Sequence, residues 1–457
     1  MASLYANLKE LHSLSLPNQS NVYSLAILEE MEQNGGDASD AALSELTNNR
    51  AKIVLAALRK PVHLFSFANR ENDRNQPFPT DKEIPFTYIP HQAEIIAING
   101  FYRPTDDGVQ SSLIIGIAII KPDESGGTKQ YLNMYSEYDI TEKDMKLESL
   151  ALNCFSIELG FIPYQLSHWM LFQGNLQPEM VWLISGSDER LHLFKENRDS
   201  HTYEEVDIGP FFPELNRIFP SIVLWVDIMY DQQKHRRLVA CGCECGKLLF
   251  FVTNVVNDLP NLENEYTEDF SSPITSVKFF ETNKAPFPPP AILTQMNINK
   301  EVEEPLEASV NVIVTPSGSS SLVFRNVLHN GLTTRQKLPS SENFDVVTCC
   351  TVGDVTMDGI DEIILGTYGQ VILCYKCNRE GGWELLWKKV WSDSVLQLHY
   401  CDLTGDGVKE LVVLTTNGVQ ILQLYSSIEC PVARSGETVT NLDLKVTMES
   451  ERMIPKL

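Results

Sequence analysis

Apolar residues along this chain fall into short runs separated by turn-forming residues, and the runs come in pairs. Seven times one apolar run, a turn and a second apolar run succeed one another: 52–57 with 62–67, 113–120 with 131–135, 181–185 with 191–194, 238–242 with 248–252, 310–315 with 322–324, 362–366 with 371–375, and 411–415 with 419–424. Runs of this length, bounded by turn residues, predict strands, and the pairs predict β-hairpins. Gly246, Gly369 and the Asn417-Gly418 pair stand at the turns, where a residue without Cβ adopts positive φ at no steric cost. Each hairpin follows another β-rich run, at 22–25, 94–98, 164–172, 222–228, 274–280, 346–352 and 395–401.

One strand, a hairpin and room for a fourth strand make a propeller blade. The pattern therefore predicts an all-β fold, a seven-bladed β-propeller with long polar inter-blade loops, spanning residues 18–428. Residues 1–17 are expected to be an N-terminal extension and 429–457 a C-terminal tail. The repeat step averages about 60 residues, above the roughly 40–50 of compact propeller repeats, and long loops account for the excess. Segments 29–49, 68–81, 256–269 and 285–305 are polar, acidic or proline-rich and read as surface loops, with 29–49 and 283–306 disordered. Helix-like spacing of Ala42, Leu43, Leu46, Ile53 and Val54 offers a helix across 41–57, but 53–57 fits a strand better.

Composition narrows the function. The chain of 457 residues is 43% hydrophobic and carries a net charge of −25, so it has material for a large core and repels nucleic-acid backbones and anionic membrane surfaces. The one compact basic cluster, Lys234-His235-Arg236-Arg237, reads as a solvated turn ahead of a strand. No apolar run approaches the roughly 20 residues of a membrane helix, and the N-terminus lacks the pattern of a secretory signal. Cys349, Cys350, Cys374 and Cys401 sit inside apolar runs, as reduced thiols in a cytoplasmic protein do.

Two segments carry the sharpest chemistry. Residues 354–363 and 402–411 repeat D-x-T-x-D-G-x-x-E-[IL] at an offset of 48. Oxygens at alternate positions around a Gly turn are how calcium loops gather hard ligands, and the motif resembles the FG-GAP loops of integrin α-subunit propellers. The candidate cation ligands are Asp354, Asp358, Glu362, Asp402, Asp406 and Glu410. Against calcium, the third position is Thr356 or Thr404 instead of a carboxylate or amide, and Asp or Thr side chains close such turns by bonding backbone N–H groups without any ion. The turn-closing reading is preferred, and no cofactor is expected.

Cys241-x-Cys243-x-Cys245 and Cys374-x-x-Cys377 offer half-sites for zinc, but no histidine or second cysteine pair follows at ligand spacing. The sequence holds no nucleophile elbow, HExxH or phosphate-cradling Gly-Lys loop. An interaction scaffold is therefore expected, not an enzyme.

In family order, Asn18-Gln-Ser-Asn-Val-Tyr-Ser-Leu-Ala26, Phe86-Thr-Tyr-Ile-Pro-His-Gln-Ala-Glu-Ile95, the stretch 183–197, Phe212-Pro-Glu-Leu215, Arg236-Arg-Leu-Val-Ala240, Val323-Phe-Arg-Asn326, Gly366-Thr-Tyr-Gly-Gln370 and Asp402-Leu-Thr-Gly-Asp-Gly407 resemble the kaptin family of KICSTOR propeller subunits. That resemblance implies pairing with a second FG-GAP-type propeller and the other KICSTOR subunits. It further implies tethering of the GATOR GTPase-activating complex at the lysosomal membrane surface, and restraint of the TOR kinase complex when amino acids or glucose are short. Association with F-actin in cell protrusions is the alternative that the family suggests. Two departures stand out: an insertion at 29–49 longer than the family's, and a tail at 433–457 of mixed charge in place of a basic helix.

Overall fold

The structure, a computed structural model, describes residues 7–28, 52–56, 59, 61–70, 73–104, 111–136, 147–174, 178–197, 200, 202–282, 309–378 and 381–425. Its strands form seven antiparallel sheets of four strands each. The expectation of a seven-bladed propeller within residues 18–428 is corrected, since that stretch holds only six complete blades. Six blades are contiguous, at 25–84, 94–159, 163–206, 223–269, 274–337 and 347–390, and the remaining sheet is a composite of both chain ends. In that sheet Asn7–Ser15 pairs with Gly418–Tyr425, beside Glu410–Thr415 and Val395–Cys401. Residues 7–15 are thus the outer strand that closes the ring, not an extension. A lone strand whose partner lies some 400 residues away leaves no local pairing signal.

The loop expectations are corrected in the same way. Segments 68–81 and 256–269 are mostly strand: the first runs from the end of Val62–Arg70 into the outer strand Asp73–Ile84, and the second holds the outer strand Asn261–Asp269. Segments 29–49 and 283–306 lie outside the described residues, as do the tail and the helix alternative before residue 52. Each of the two open segments leaves and re-enters one sheet between its first and second strands, so both are insertions within blades.

Burial explains the pattern. Second strands such as Glu362–Thr367 and Glu410–Thr415 are buried at every position, because neighbouring blades cover both faces, and so they read as continuous apolar runs. The outer strand Asn261–Asp269 is largely exposed and reads as loop. The core divides into seven apolar clusters, one at each blade junction, from that of Leu28, Ile95 and Ile117 between the first two blades to that of Phe65, Leu403 and Val412 at the composite junction.

At every junction an innermost strand, or at the first junction Asn21 just ahead of it, makes a side-chain to backbone hydrogen bond to the next blade. Asn21 Nδ2 donates to Ile95 O (3.2 Å), Asn99 Nδ2 to Leu166 O (3.0 Å), Thr275 Oγ1 to Val347 O (2.5 Å), Thr348 Oγ1 to Val395 O (2.6 Å) and Gln397 Nε2 to Leu25 O (3.3 Å). Gln165 pairs with both backbone groups of Val226, donating at 3.3 Å and accepting at 2.6 Å, while Phe279 N–H donates to Asp227 Oδ2 (2.6 Å). Sheets at a junction share no ladder, so these clamps supply the directional contact that apolar packing lacks.

Candidate functional site

The structure places both acidic loops between the first and second strands of adjacent sheets, at 354–361 and 402–409. In the first, Asp358 N–H and Gly359 N–H donate to the two oxygens of Asp354 (3.0 and 2.7 Å), and Ile360 N–H donates to Asp358 Oδ1 (3.1 Å). In the second, Gly405 N–H and Gly407 N–H donate to Asp402 (2.6 and 2.9 Å), and Val408 N–H to Asp406 Oδ1 (2.8 Å). Gly359 and Gly407 take φ of 88° and 83°, which lets these amides converge on one carboxylate.

The glutamates lie beneath. Glu362 is fully buried and accepts from Val355 N–H (3.0 Å), Thr356 N–H (3.1 Å) and Thr356 Oγ1 (3.0 Å). Glu410 repeats the arrangement with Leu403 N–H (2.8 Å), Thr404 N–H (3.4 Å) and Thr404 Oγ1 (3.1 Å). The threonine that counted against a calcium loop is therefore a working partner of the buried carboxylate. Among the described residues, no cluster of His, Cys, Asp and Glu side chains is arranged to hold a metal ion.

The two loops differ in what faces the carboxylates. Lys376 Nζ bonds Asp358 Oδ2, reaches Thr356 Oγ1 at 3.3 Å and lies 3.3 Å from Glu362 Oε1. In the second loop the equivalent group is the neutral amide of Gln423, whose Nε2 donates to Asp406 Oδ2 and Glu410 Oε1, both at 3.3 Å. Lys376 thus places a tethered positive charge among the first loop's oxygens. Burial opposes its ammonium, yet Asp358 and Glu362 outweigh that and raise its pKa. Between the loops, Tyr400 Oη donates to Asp354 O (2.9 Å). Sequence reasoning missed Lys376, Gln423 and Tyr400, although the first two occupy matching places on the third strands.

Burial raises Glu362 and Glu410 to about 7, from an ordinary 4.5. Lys376 opposes this at Glu362, whereas at Glu410 the Leu403 N–H opposes it and Asp406 adds to it. The native state therefore binds protons between pH 4.5 and 7 that the unfolded chain has released, so this contribution to stability is full below about pH 4.5 and lost as pH rises through 7. Denaturant titrations of wild type and Glu410→Gln across that range should diverge by up to about 3 kcal/mol, the wild type losing more as pH rises. Parallel curves would contradict the burial of an ionisable group there.

The other candidate groups are dispersed. Cys241 and Cys243 are buried in the cluster between the third and fourth blades, Cys374 in the cluster between the sixth and the composite sheet. The basic run is corrected at one position. Lys234 lies over the Phe172 ring and Arg236 pairs with Glu263 at 2.9 Å, but Arg237 is fully buried. Its Nε and Nη2 donate to Glu214 (2.8 and 3.2 Å), Nη2 donates to Phe211 O (2.8 Å), and the guanidinium stacks on Phe212 at 4.1 Å. Two segments read separately in the sequence, 212–215 and 236–240, are thereby one buried ion pair.

Tyr23 reaches from the first blade to the fourth, donating its hydroxyl to Leu224 O (2.7 Å) and stacking on Trp225 at 6.0 Å. Its burial raises the phenol pKa. Burial lowers His168 to about 4 and His399 to about 3, so both are neutral at pH 7 and serve as hydrogen-bonding groups for Asn99 and Gln397.

Two solved structures align over most of the chain: BBS1N in complex with ARL6DN, soaked with mercury (TM-score 0.48, 10% identity, 92% of this chain and 98% of that one), and the Dos1 propeller (TM-score 0.46, 8% identity, 91% and 95%). A KICSTOR complex protein kaptin from Mus musculus is 33% identical over 410 residues, covering 89% of this chain and 85% of the relative. The sequence profile described as KICSTOR complex protein kaptin matches residues 8–430, from the ring-closing strand to just past the composite sheet, and the chain belongs to that family.

Proposed function

We propose that the chain is a non-catalytic scaffold subunit of a KICSTOR-like assembly that holds the GATOR GTPase-activating complex at lysosomes and thereby restrains TOR signalling when amino acids or glucose are short. The observation that carries this reading is family membership across 8–430, since a family match of that extent includes every sheet of the ring. The interior supports it: Tyr23 spans the centre and the buried histidines are neutral, which leaves the outer surfaces for recognition. Among the described residues no helix is long and apolar enough to cross a membrane, so recruitment to a membrane would run through partners.

Cells lacking the chain should keep TOR substrate phosphorylation high after amino-acid withdrawal, as read by immunoblot over a starvation time course. Normal shut-off would defeat the scaffold reading. We also propose that the acidic loops are turn frames instead of calcium sites. The melting temperature should then be equal in millimolar calcium and excess chelator, and Asp406→Ala should cost about 1–2 kcal/mol in both. A calcium-dependent rise in wild type, absent from the variant, would mean a bound ion.

A further inference from the structure

Every sheet ends in an outer strand whose far edge meets no other strand among the described residues. Such an edge invites further pairing unless charge, proline, a bulge or short length guards it. Asp73–Ile84 carries Pro77 and Pro79, Arg335–Lys337 is three residues long, and Thr202–Val206 presents exposed Glu204 and Glu205. Asn7–Ser15, Asn261–Asp269 and Trp383–Val390 each combine charged residues with a register shift. Cys154–Leu159, the outer strand of the second blade, lacks all of these guards. It pairs without a shift along 130–135, holds no proline, and its one charged residue, Glu158, is neutralised by Lys129 at 3.3 Å.

Ser136 N–H donates to Asn153 O (3.4 Å) at the head of this strand. Bonding alternates along an antiparallel pair, so 155, 157 and 159 bond inward, and the N–H and C=O groups of Cys154, Ser156 and Glu158 point outward. Groups that repeat at every second residue fit an extended backbone, which makes the occupant a strand. Apolar side chains flank the edge on both faces. Phe155, 37% exposed, shares the face on which Ile157 and Leu159 pack toward the third blade. Toward the first blade stand Leu152 (65% exposed) and Tyr88 (67%), brought near each other because Thr87 N–H and Oγ1 both donate to Ala151 O (3.1 and 2.8 Å). Tyr88 is held at φ 60°, a strained value for an aromatic residue, and its carbonyl accepts from Asn133 Nδ2 (3.2 Å).

We infer that the free edge of Cys154–Leu159 docks an extended segment of another KICSTOR subunit, which adds to the second blade as a fifth strand and carries apolar side chains on both faces. This rests on the KICSTOR reading above. A second copy of the chain, itself at −25, would bring like-charge repulsion to the contact. The test uses the full chain and, as probe, the KICSTOR assembly isolated from cells lacking the chain, with affinity measured by biolayer interferometry and amide exchange measured in the wild-type complex. Ser156→Pro removes an outward N–H at an edge position that tolerates proline, and it and Phe155→Glu should each weaken binding more than tenfold. In the wild-type complex, exchange of the Ser156 and Glu158 amides should slow more than tenfold. Binding of both variants within twofold of wild type, or unchanged exchange at these two amides, overturns the inference and leaves the KICSTOR reading intact. Failure of wild type to bind overturns both. Slowed exchange of the same amides in a wild-type dimer without the assembly makes the edge a self-interface and overturns the assignment to another subunit.

Discussion

Arg237→Ala is expected to destabilise the fold by about 3–5 kcal/mol, because it leaves the Glu214 carboxylate buried without its counter-charge. Both side chains are 0% exposed, their contact is bidentate, and the guanidinium also holds Phe211 O and the Phe212 ring. For a domain of this size the loss corresponds to a fall in melting temperature of about 3–6 °C. Removing both charges at once separates this cause from lost packing. Replacing a buried pair by apolar residues of similar volume is often neutral, so Arg237→Met with Glu214→Leu should recover most of the loss. A double variant as unstable as the sum of the single ones would mean that packing, not charge pairing, sets the cost.

Gln165→Leu should cost about 2–5 kcal/mol, the second largest effect, since it strands two buried backbone groups at about 1–3 kcal/mol each. Val226 N–H and Val226 O both pair with this one amide across the third junction. Gln397→Leu removes a single donor to Leu25 O and should cost roughly half as much. Equilibrium denaturation measures both, and hydrogen exchange at Val226 should accelerate only in the first variant. Equal losses in the two would show that the clamp is interchangeable with ordinary packing.

Ring closure makes each junction matter. A propeller has no free sheet edge at its closed seam, and here Asn7–Ser15 supplies the outer strand of the composite sheet. Gln397 and Ser20 add hydrogen bonds across the same seam, to Leu25 O and Thr415 O. Opening any junction therefore exposes apolar clusters on two blades, which is why a single clamp residue carries a cost beyond its own hydrogen bonds.

The hairpins, the β class and the paired acidic loops were legible in the sequence because each is written locally. A strand buried on both faces must be apolar throughout, and a turn gathering N–H groups onto one carboxylate needs Asp and Gly at fixed spacing. The turn at 368–370 shows the limit even of that signal: Gln370, not Gly369, takes positive φ, whereas Gly369 is required because a Cβ there would meet Phe344 O. Outer strands were misread as loops since solvent accepts their polar residues, and a sequence does not distinguish a hydrated strand from a hydrated turn. Ring closure, the Arg237–Glu214 pair, the Tyr23 span and the Lys376 counter-charge join residues far apart along the chain or on different strands. Only tertiary structure could decide these, because their burial and partners exist once the blades have packed.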